Sequence, residues 1–282
     1  MMAIRIALLL LASTVLAPGR AEPQVTFGAD VAHDRATWHF DNPSNIDTAE
    51  LVPHFFEQQY TLDNIWFGAS AAYRAGVEWR SSFAATPVTQ ATATDYDTFF
   101  DPGGVTWVAG TTGDARMHSL RLGQEVKFGT FGRLDISGGY RLRLDFADFL
   151  EGDKTVTRNG ELVSQSIVTT REYTRAQTHE IFVSAAASTT RTALWQLRVR
   201  GDLAPASVNR LAIELPDKYP GQTLIYRTTN LMTSGRLDVI RGTGRWPLVF
   251  TVLGERSWNY SDTQWVRRSS IGAGVSIGAN WR

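Results

Sequence analysis

The sequence lacks cysteine, an excess of charge of either sign, and any long apolar run after its first residues. Its 282 residues hold 28 Lys and Arg against 28 Asp and Glu. A net charge of zero gives no support for nucleic-acid binding. No apolar run of about 18 residues follows the N-terminal segment, which excludes a membrane-spanning helix there. Without cysteine there is no disulfide framework, so a large hydrogen-bonded sheet must stabilise an exported chain.

The first residues have the pattern of a secretory signal. Arg5 precedes a short apolar run at 6–12, and residues 17–21 read Ala-Pro-Gly-Arg-Ala. A charged start, an apolar core and a small-residue cleavage region predict a signal peptide cleaved after Ala21. A short membrane anchor is the alternative, but the apolar core is too short to span a bilayer. The expectation is a signal peptide at 1–21 and one exported domain at 22–282.

The clearest pattern in the chain is the alternation that runs from residue 134 to residue 147. One face is apolar or small: Leu134, Ile136, Gly138, Tyr140, Leu142, Leu144 and Phe146. The other face is mostly polar: Asp135, Ser137, Gly139, Arg141, Arg143, Asp145 and Ala147. Side chains of a β-strand point to opposite faces with a period of two, so this strand has one apolar wall and one polar wall. It exceeds the roughly 5–6 residues of a soluble strand and reaches the about 9–11 that cross a bilayer.

Two arginines determine which wall of this strand faces lipid. The turn at 129–132 pairs it with an alternating arm at 120–128, which predicts a transmembrane hairpin. An arginine facing lipid at the bilayer midplane costs roughly 2–4 kcal/mol, so Arg141 and Arg143 together would approach the whole stability of a small domain. Both must face inward. The same lumen is expected to hold a further set of charges: Glu125, Asp135, Asp145, Arg198, Arg200 and Asp202. An ion-paired interior is therefore expected rather than a wide pore.

Long alternating arms, short turns and longer polar loops recur along the rest of the chain. Strands are predicted at 24–32, 60–72, 77–83, 120–128, 133–146, 172–187, 193–203, 224–240 and 246–257, with a closing strand at 271–281. Polar loops are predicted at 34–58, 87–113, 148–170, 204–221 and 259–264. About ten strands with short turns at one end and long loops at the other are the pattern of bacterial outer-membrane barrels. The sequence thus predicts an all-β, single-domain, up-and-down antiparallel transmembrane β-barrel in the bacterial outer membrane.

Tryptophan positions and one irregular strand refine this prediction. Trp246 and Trp281 fall near turn-side strand ends, and Trp258 and Trp265 near loop-side ends, as in two interfacial aromatic girdles. Core packing in a soluble barrel is the alternative for these side chains. The register of residues 168–187 stays open, because apolar and polar residues share each face there. A bulge or a strand that rises above the membrane would explain it.

Chemistry, if present, belongs on the long loops and strand ends above the bilayer. The second predicted loop contains Asp95 and Asp97. A spacing of two on an extended chain points both carboxylates to one side, where they can share a proton or hold a water for hydrolysis. The alternative is an acidic turn-forming loop in which Asp101-Pro102-Gly103-Gly104 makes the bend. The chain has no metal-ligand spacing, no phosphate-binding glycine loop and no serine-nucleophile motif.

The plan of strands and loops, with Asp95-Tyr96-Asp97 in the second loop, resembles the omptins. These are ten-stranded outer-membrane proteases whose strands project well above the membrane. In that family an Asp-x-Asp pair follows the third strand and an Asp-x-His pair lies in the fourth outer loop, and together they activate a water for peptide hydrolysis. The resemblance implies that Asp95 and Asp97 are catalytic residues.

The fourth predicted loop departs from the omptin pattern. It contains Glu214 and Asp217 but no histidine, so only Asp217 is carried over as a candidate catalytic residue. His118, which is near the acidic pair in sequence, is the remaining candidate for a base, although a lone histidine there is more often a satisfied polar residue. The chain also ends in Arg282 rather than in an aromatic residue.

The missing histidine favours a non-catalytic function. The first hypothesis is an omptin-like barrel that acts through its outer loops in surface binding, adhesion or a structural role. An omptin-like surface endopeptidase with a paired-aspartate water is the alternative, and a small pore is the third. The expected partners are outer-membrane lipid or lipopolysaccharide, with a peptide or protein at the outer loops as a further possibility. No cofactor, metal or nucleic acid is expected, and the sequence leaves the oligomeric state open.

Overall fold

The computed structural model describes residues 24–44, 54–100, 103–189, 195–242, 246–260 and 265–281, so the predicted signal peptide lies outside them. The described residues form twelve strands: β1 Gln24–Ser44, β2 His54–Ala75, β3 Val77–Ala85, β4 Thr89–Phe100, β5 Thr106–Phe131, β6 Leu134–Arg158, β7 Glu161–Ile167, β8 Arg171–Ser188, β9 Trp195–Glu214, β10 Leu224–Arg241, β11 Leu248–Asn259 and β12 Trp265–Trp281. Within these ranges, no helix is long and apolar enough to cross a membrane.

The strands close into a barrel with ten positions around its circumference. Each strand pairs antiparallel with its neighbours, and β1 pairs with β12 to close the sheet. β3 and β4 occupy one position, since both lie between β2 and β5. β7 and β8 share another, since both pair with β6. The predicted all-β, up-and-down antiparallel barrel is confirmed. The assignment of 22–282 to one domain stays a prediction.

The strands are much longer than predicted, and the expected loop boundaries are wrong. β5 has 26 residues and β6 has 25, and strand structure covers much of the predicted loops at 34–58, 87–113, 148–170 and 204–221. The reason is an inversion of polarity along each strand. In β1, Val25, Phe27 and Val31 face outward, but Trp38 and Phe40 are buried inside. The polar residues of these segments line the outside of a projecting barrel. In the sequence, the same polar residues are typical of a loop.

An uncharged belt surrounds the turn-side half of the barrel. Outward side chains in this belt carry no charge on any described strand, over residues 25–31, 65–73, 77–85, 120–128, 134–146, 181–187, 195–203, 231–239, 248–254 and 271–277. Phe27 and Phe67 are 51% and 54% exposed. Charged residues such as Arg35, Asp63 and Arg116 begin directly above it. These segments fit the apolar band of about 25 Å that a transmembrane barrel presents to lipid.

The inside of the belt is filled by ion pairs, as the alternation in β6 predicts. Glu255 of β11 is the centre of the upper set: its Oε1 lies 3.2 Å from Arg121, 3.0 Å from Arg143 and 2.5 Å from Arg268. Arg143 also binds Asp145 at 2.9 Å. These side chains come from four different strands, so they join distant parts of the wall across the lumen.

A second set of ion pairs lies closer to the short turns. Arg141 binds Glu180 at 3.2 Å and Asp202 at 2.9 Å, and Arg200 binds Asp202 at 2.7 Å and Glu125 at 2.9 Å. Glu180, like Glu255 and Arg268 of the upper set, was not among the predicted lumen charges. The expected ion-paired interior is confirmed.

The hydrophobic core lies inside the projecting half of the barrel, above the ion pairs. Trp38, Phe40, Tyr60 and Phe149 pack there with ring centroids 5.4–6.2 Å apart, and Met117 and several alanines fill the gaps. Aromatic rings at these separations prefer tilted and edge-to-face contacts and add stability beyond the area they bury. A layer of apolar side chains therefore separates the ion pairs from the outer mouth.

The bulge considered for residues 172–187 lies in the neighbouring strand, whereas β8 itself keeps one unbroken alternation. β8 pairs with β6 without a break, but its register with β9 shifts between Ile181 and Val183. β9 shifts against β10 at the same level, so β9 carries an extra residue next to Pro205. A bulge tolerates a proline because the ladder is already interrupted there. Phe182 faces inward because β8 keeps its own alternation with Glu180 and Ser184, and the Arg141 guanidinium lies 4.7 Å from its ring.

The tryptophan prediction is tested for two of its four residues. Trp246 at the turn side and Trp258 at the loop side are 58% and 40% exposed. The side chains of Trp265 and Trp281 lie outside the described residues. Trp195 was not among the predicted girdle residues. It is exposed at the same end of the barrel as Trp246. These positions suit interfacial anchors.

Replacing Glu255 by Gln is expected to destabilise the barrel strongly, because it leaves three arginines without their shared buried carboxylate. Removing one partner of a buried ion pair typically costs about 3–5 kcal/mol. The measurement is urea unfolding in lipid vesicles, followed by tryptophan fluorescence. Asp63→Asn is the matched control, since Asp63 lies in an exposed pair 3.8 Å from His33 and should cost less than about 1 kcal/mol. Equal losses in the two variants would contradict the central position of Glu255.

Candidate functional site

The predicted aspartate pair lies on a strand, not in a loop. Asp95 and Asp97 belong to β4, above the uncharged belt, and their alternation with Ala91 and Ala93 turns them toward the barrel interior. Asp95 is 4% exposed, while the outward Tyr96 between them is 41% exposed. Hydrogen bonding to β2 and β5 on both sides fixes this part of β4. The structure thus brings the two aspartates to one face, as their spacing predicts.

Two further acidic residues join them. Glu151 of β6 and Glu172 of β8 are 3% and 1% exposed and face the same interior. Thr174 donates a hydrogen bond to Glu172 at 2.7 Å. We call Asp95, Asp97, Glu151 and Glu172 the carboxylate cluster. Sequence reasoning missed both glutamates, although Glu151 continues the inward phase of β6 through Ala147 and Phe149.

One lysine faces the carboxylate cluster. Lys218 Nζ lies 3.2 Å from Glu151 Oε1. Lys218 belongs to a tight turn in which the amides of Lys218 and Tyr219 donate to the carbonyl of Leu215 at 3.1 and 2.7 Å. Leu215 packs on the hydrophobic core below. We call residues 215–221 the cap, because this turn covers the cluster at the outer mouth.

Burial shifts the pKa of two members of the carboxylate cluster, Asp95 and Glu172. It raises the pKa of Asp95 well above its usual value, and the neighbouring charges of Asp97 and Glu172 raise it further, while Lys218 opposes the shift. Burial likewise raises the pKa of Glu172 to about 7, against the hydrogen bond from Thr174. Burial alone would lower the pKa of Lys218, but the Glu151 carboxylate outweighs it and raises that pKa. Glu172 can therefore hold a proton close to neutral pH.

The core seals the cluster from below. Tyr60 is fully buried beneath it, and its hydroxyl donates to Gln58 Oε1 at 3.0 Å. Asp95 Oδ1 has no hydrogen-bond partner among the described residues. A buried acceptor without a partner is costly when charged, which agrees with the raised pKa of Asp95.

The structure does not bring the other two predicted site residues to the aspartates. Asp217, in the cap, is exposed and accepts a hydrogen bond from the Arg171 amide at 2.9 Å. His118 faces outward from β5, where its ring stacks on Phe146 with centroids 4.7 Å apart. The wall of the barrel separates His118 from the inward Asp95.

Three of the remaining histidines also face outward. His39 faces outward and lies 2.7 Å from Glu57, and His179 lies 2.6 Å from the Tyr140 hydroxyl on the outer surface. His33 faces outward near Asp63. The side chain of His54 lies outside the described residues. In the described part of the chain, no group of three or more His, Cys, Asp or Glu is arranged to hold a metal ion.

Replacing Glu172 by Gln is expected to weaken the pH dependence of stability. A carboxyl whose pKa is raised on folding stabilises the fold fully below its unfolded pKa of 4.5 and loses that contribution as the pH rises through about 7. The free energy of unfolding of the parent protein should thus fall relative to Glu172→Gln by roughly 2–3 kcal/mol between about pH 5 and pH 8. Urea titrations at both pH values measure this difference.

Glu214→Gln provides the control, because Glu214 is an outward residue in a surface pair 3.8 Å from Arg175. It should keep the parent's pH dependence. Identical pH profiles for the parent and Glu172→Gln would show that Glu172 does not titrate in this range.

Comparison with known proteins gives a likeness in fold only. No protein-family model matches the chain, and no curated protein matches it in sequence. The crystal structure of the outer membrane protease OmpT from Escherichia coli superimposes with a TM-score of 0.70 at 7% identity, covering 92% of this chain and 97% of that one. At 7% identity the likeness concerns the fold and not the activity.

Two other outer-membrane structures match over most of their length, but with low TM-scores. The β domain of the Bordetella autotransporter BrkA has a TM-score of 0.36 at 9% identity, covering 88% of this chain and 98% of that one. Neisserial surface protein A has a TM-score of 0.31 at 13% identity, covering 90% of this chain and 96% of that one. Scores this low carry no argument. The fold of this chain is that of an omptin-like outer-membrane β-barrel.

Proposed function

We propose that this protein is a non-catalytic outer-membrane barrel with a closed interior, which acts through its projecting half in surface binding, adhesion or a structural role. The observation that carries the proposal is the covered carboxylate cluster. Asp95, Glu151 and Glu172 are each at most 4% exposed, and Lys218 stands over them. A peptide bond cannot reach these three carboxylates, and Asp97 is the partly exposed member of the cluster.

The closed interior also argues against the small pore. Two sets of ion pairs fill the lumen inside the belt, and the aromatic core lies above them. A barrel of about this size has little interior beyond what its side chains fill. Function then belongs to the outer surface above the lipid.

Three arginines on this surface support lipopolysaccharide as a partner. Arg210 and Arg227 lie directly opposite each other on β9 and β10, and Arg175 of β8 lies diagonal to Arg210. Arg210 and Arg227 have no ion-pair partner in the described part of the chain. Like charges directly opposite on a sheet destabilise it unless a counter-charge is present. The phosphates of lipopolysaccharide, which arginine binds well, would supply that charge just above the belt.

Replacing Arg210 and Arg227 together by Gln is expected to reduce stabilisation by lipopolysaccharide. The parent protein should unfold at higher urea in vesicles that contain lipopolysaccharide than in phospholipid vesicles, and the double variant should lose most of that difference. Arg116→Gln, on the other side of the barrel, is the control and should keep it. An equal lipopolysaccharide effect in all three proteins would remove these arginines as the binding site.

The second candidate function is an omptin-like surface endopeptidase. The observation in its favour is that Asp95 and Asp97 share one inner face with Glu172, whose pKa is about 7, so Glu172 could accept a proton in place of histidine. The test is incubation of the refolded protein, with lipopolysaccharide, against a peptide library that includes dibasic sequences. We expect no cleavage. Cleavage that Asp97→Asn abolishes would overturn the non-catalytic proposal.

A further inference from the structure

The β6–β7 hairpin ends in a strand whose second edge is free. β7 pairs only with β6 among the described strands, and all seven of its residues are exposed. Leu162, Val163 and Ile167 are 60%, 54% and 80% exposed. The hairpin turns at Asn159 and Gly160, both with positive φ, level with the start of β5, since the Asn159 amide donates to the Thr106 carbonyl at 2.8 Å. Its unpaired amides and carbonyls form a template for another strand.

This edge is short and carries one bulge, but it has little charge and no proline to protect it. Charged residues, prolines, short strands and bulges usually prevent edge-to-edge pairing. β7 contains one charged residue, Glu161, and no proline. A register shift against β6 makes Val163 an extra residue, which is its single irregularity. Three exposed apolar side chains on a free edge favour association.

We propose that β7 pairs antiparallel with β7 of a second copy of this chain in a facing membrane, and so joins two cell surfaces. This inference rests on the proposed surface-binding function and specifies the partner. Centred on Ser164, the pairing places Glu161 opposite Ile167, Leu162 opposite Ser166 and Ser164 opposite itself. No like charges meet in this register, so the strand is complementary to itself.

The structure limits the register as well as the partner. Below Thr170 the edge is occupied, because Asp217 accepts the Arg171 amide and β9 pairs with β8 from Tyr173 onward. In the register centred on Ser164, the partner's turn at Asn159 lies opposite residue 169 of the first copy and extends no further down the edge. It therefore ends just above the occupied part of the edge. A register shifted further down would bring the partner's turn against the cap and β9.

The tilt of barrel strands favours a facing membrane over the same membrane. Strands in such barrels tilt by about 35–45° from the axis. A two-fold axis along the membrane normal would leave two β7 strands crossing at roughly 70–90°, which permits no ladder. A two-fold axis in the membrane plane makes them antiparallel in one continuous sheet. A seven-residue edge of roughly 23 Å is too small for a stable dimer in solution, so many copies on two surfaces are needed.

Vesicle tethering tests this inference. The full chain is refolded into phospholipid vesicles carrying a donor or an acceptor dye, and tethering is read as energy transfer between the two populations. Parent vesicles should tether. Ser164→Lys and Ser164→Glu should each reduce tethering of their own vesicles to the level of protein-free vesicles, because like charges then meet at the centre of the pairing. A mixture of the two variants should restore it, since lysine then meets glutamate.

Thr92→Lys is the matched control, because Thr92 is an exposed outward residue of β4 away from the hairpin, and it should tether as the parent does. Failure of the parent to tether, unchanged tethering by Ser164→Lys, or no restoration in the mixture would each overturn the inference. Lipopolysaccharide stabilisation and the absence of peptide cleavage are measured on the same refolded protein in vesicles that contain lipopolysaccharide, so failure of this pairing is distinguishable from failure of the proposed function.

Discussion

The sharing of Glu255 by Arg121, Arg143 and Arg268 is the interaction on which the rest of the structure depends. Long strands with an apolar outer wall must turn their arginines inward, and buried arginines need carboxylates within reach. The ion pairs that satisfy them cross the lumen and hold opposite walls of the barrel together. Turning these charges inward makes the outside of the barrel compatible with lipid, and the ion pairs that they form close the inside. The uncharged belt and the omptin-like fold correspond to a protein of the bacterial outer membrane.

Above the belt the barrel follows the rules of a soluble protein. Trp38, Tyr60 and Phe149 form a hydrophobic core there, and polar residues lie on the outer surface. The carboxylate cluster lies on top of this core, where burial raises the pKa of Asp95 and of Glu172. The cap adds Lys218 as counter-charge and covers the cluster. These carboxylates are enclosed within the barrel, while the exposed edge of β7 offers a surface to a partner.

The sequence predicts the membrane part of this fold well and the projecting part poorly. Alternation in residues 134–147, together with the cost of an arginine in lipid, determines the orientation of β6 correctly. The loop boundaries fail because polarity inverts above the belt. The spacing of two correctly predicts that Asp95 and Asp97 share one face. The alternation in β5 would likewise have placed His118 on the outer face, together with Leu120. The position of Lys218 over Glu151 depends on how a turn folds back on the rim, which no periodicity determines.

Single-channel recording in a planar bilayer tests the central claim, a lumen closed by its own ion pairs and core, most directly. The refolded parent protein is expected to insert without discrete conductance steps, because the two sets of ion pairs and the aromatic layer above them leave no continuous water path. Insertion is verified independently by protease protection. Reproducible conductance steps from the inserted parent protein would contradict a closed interior and restore the pore as a function.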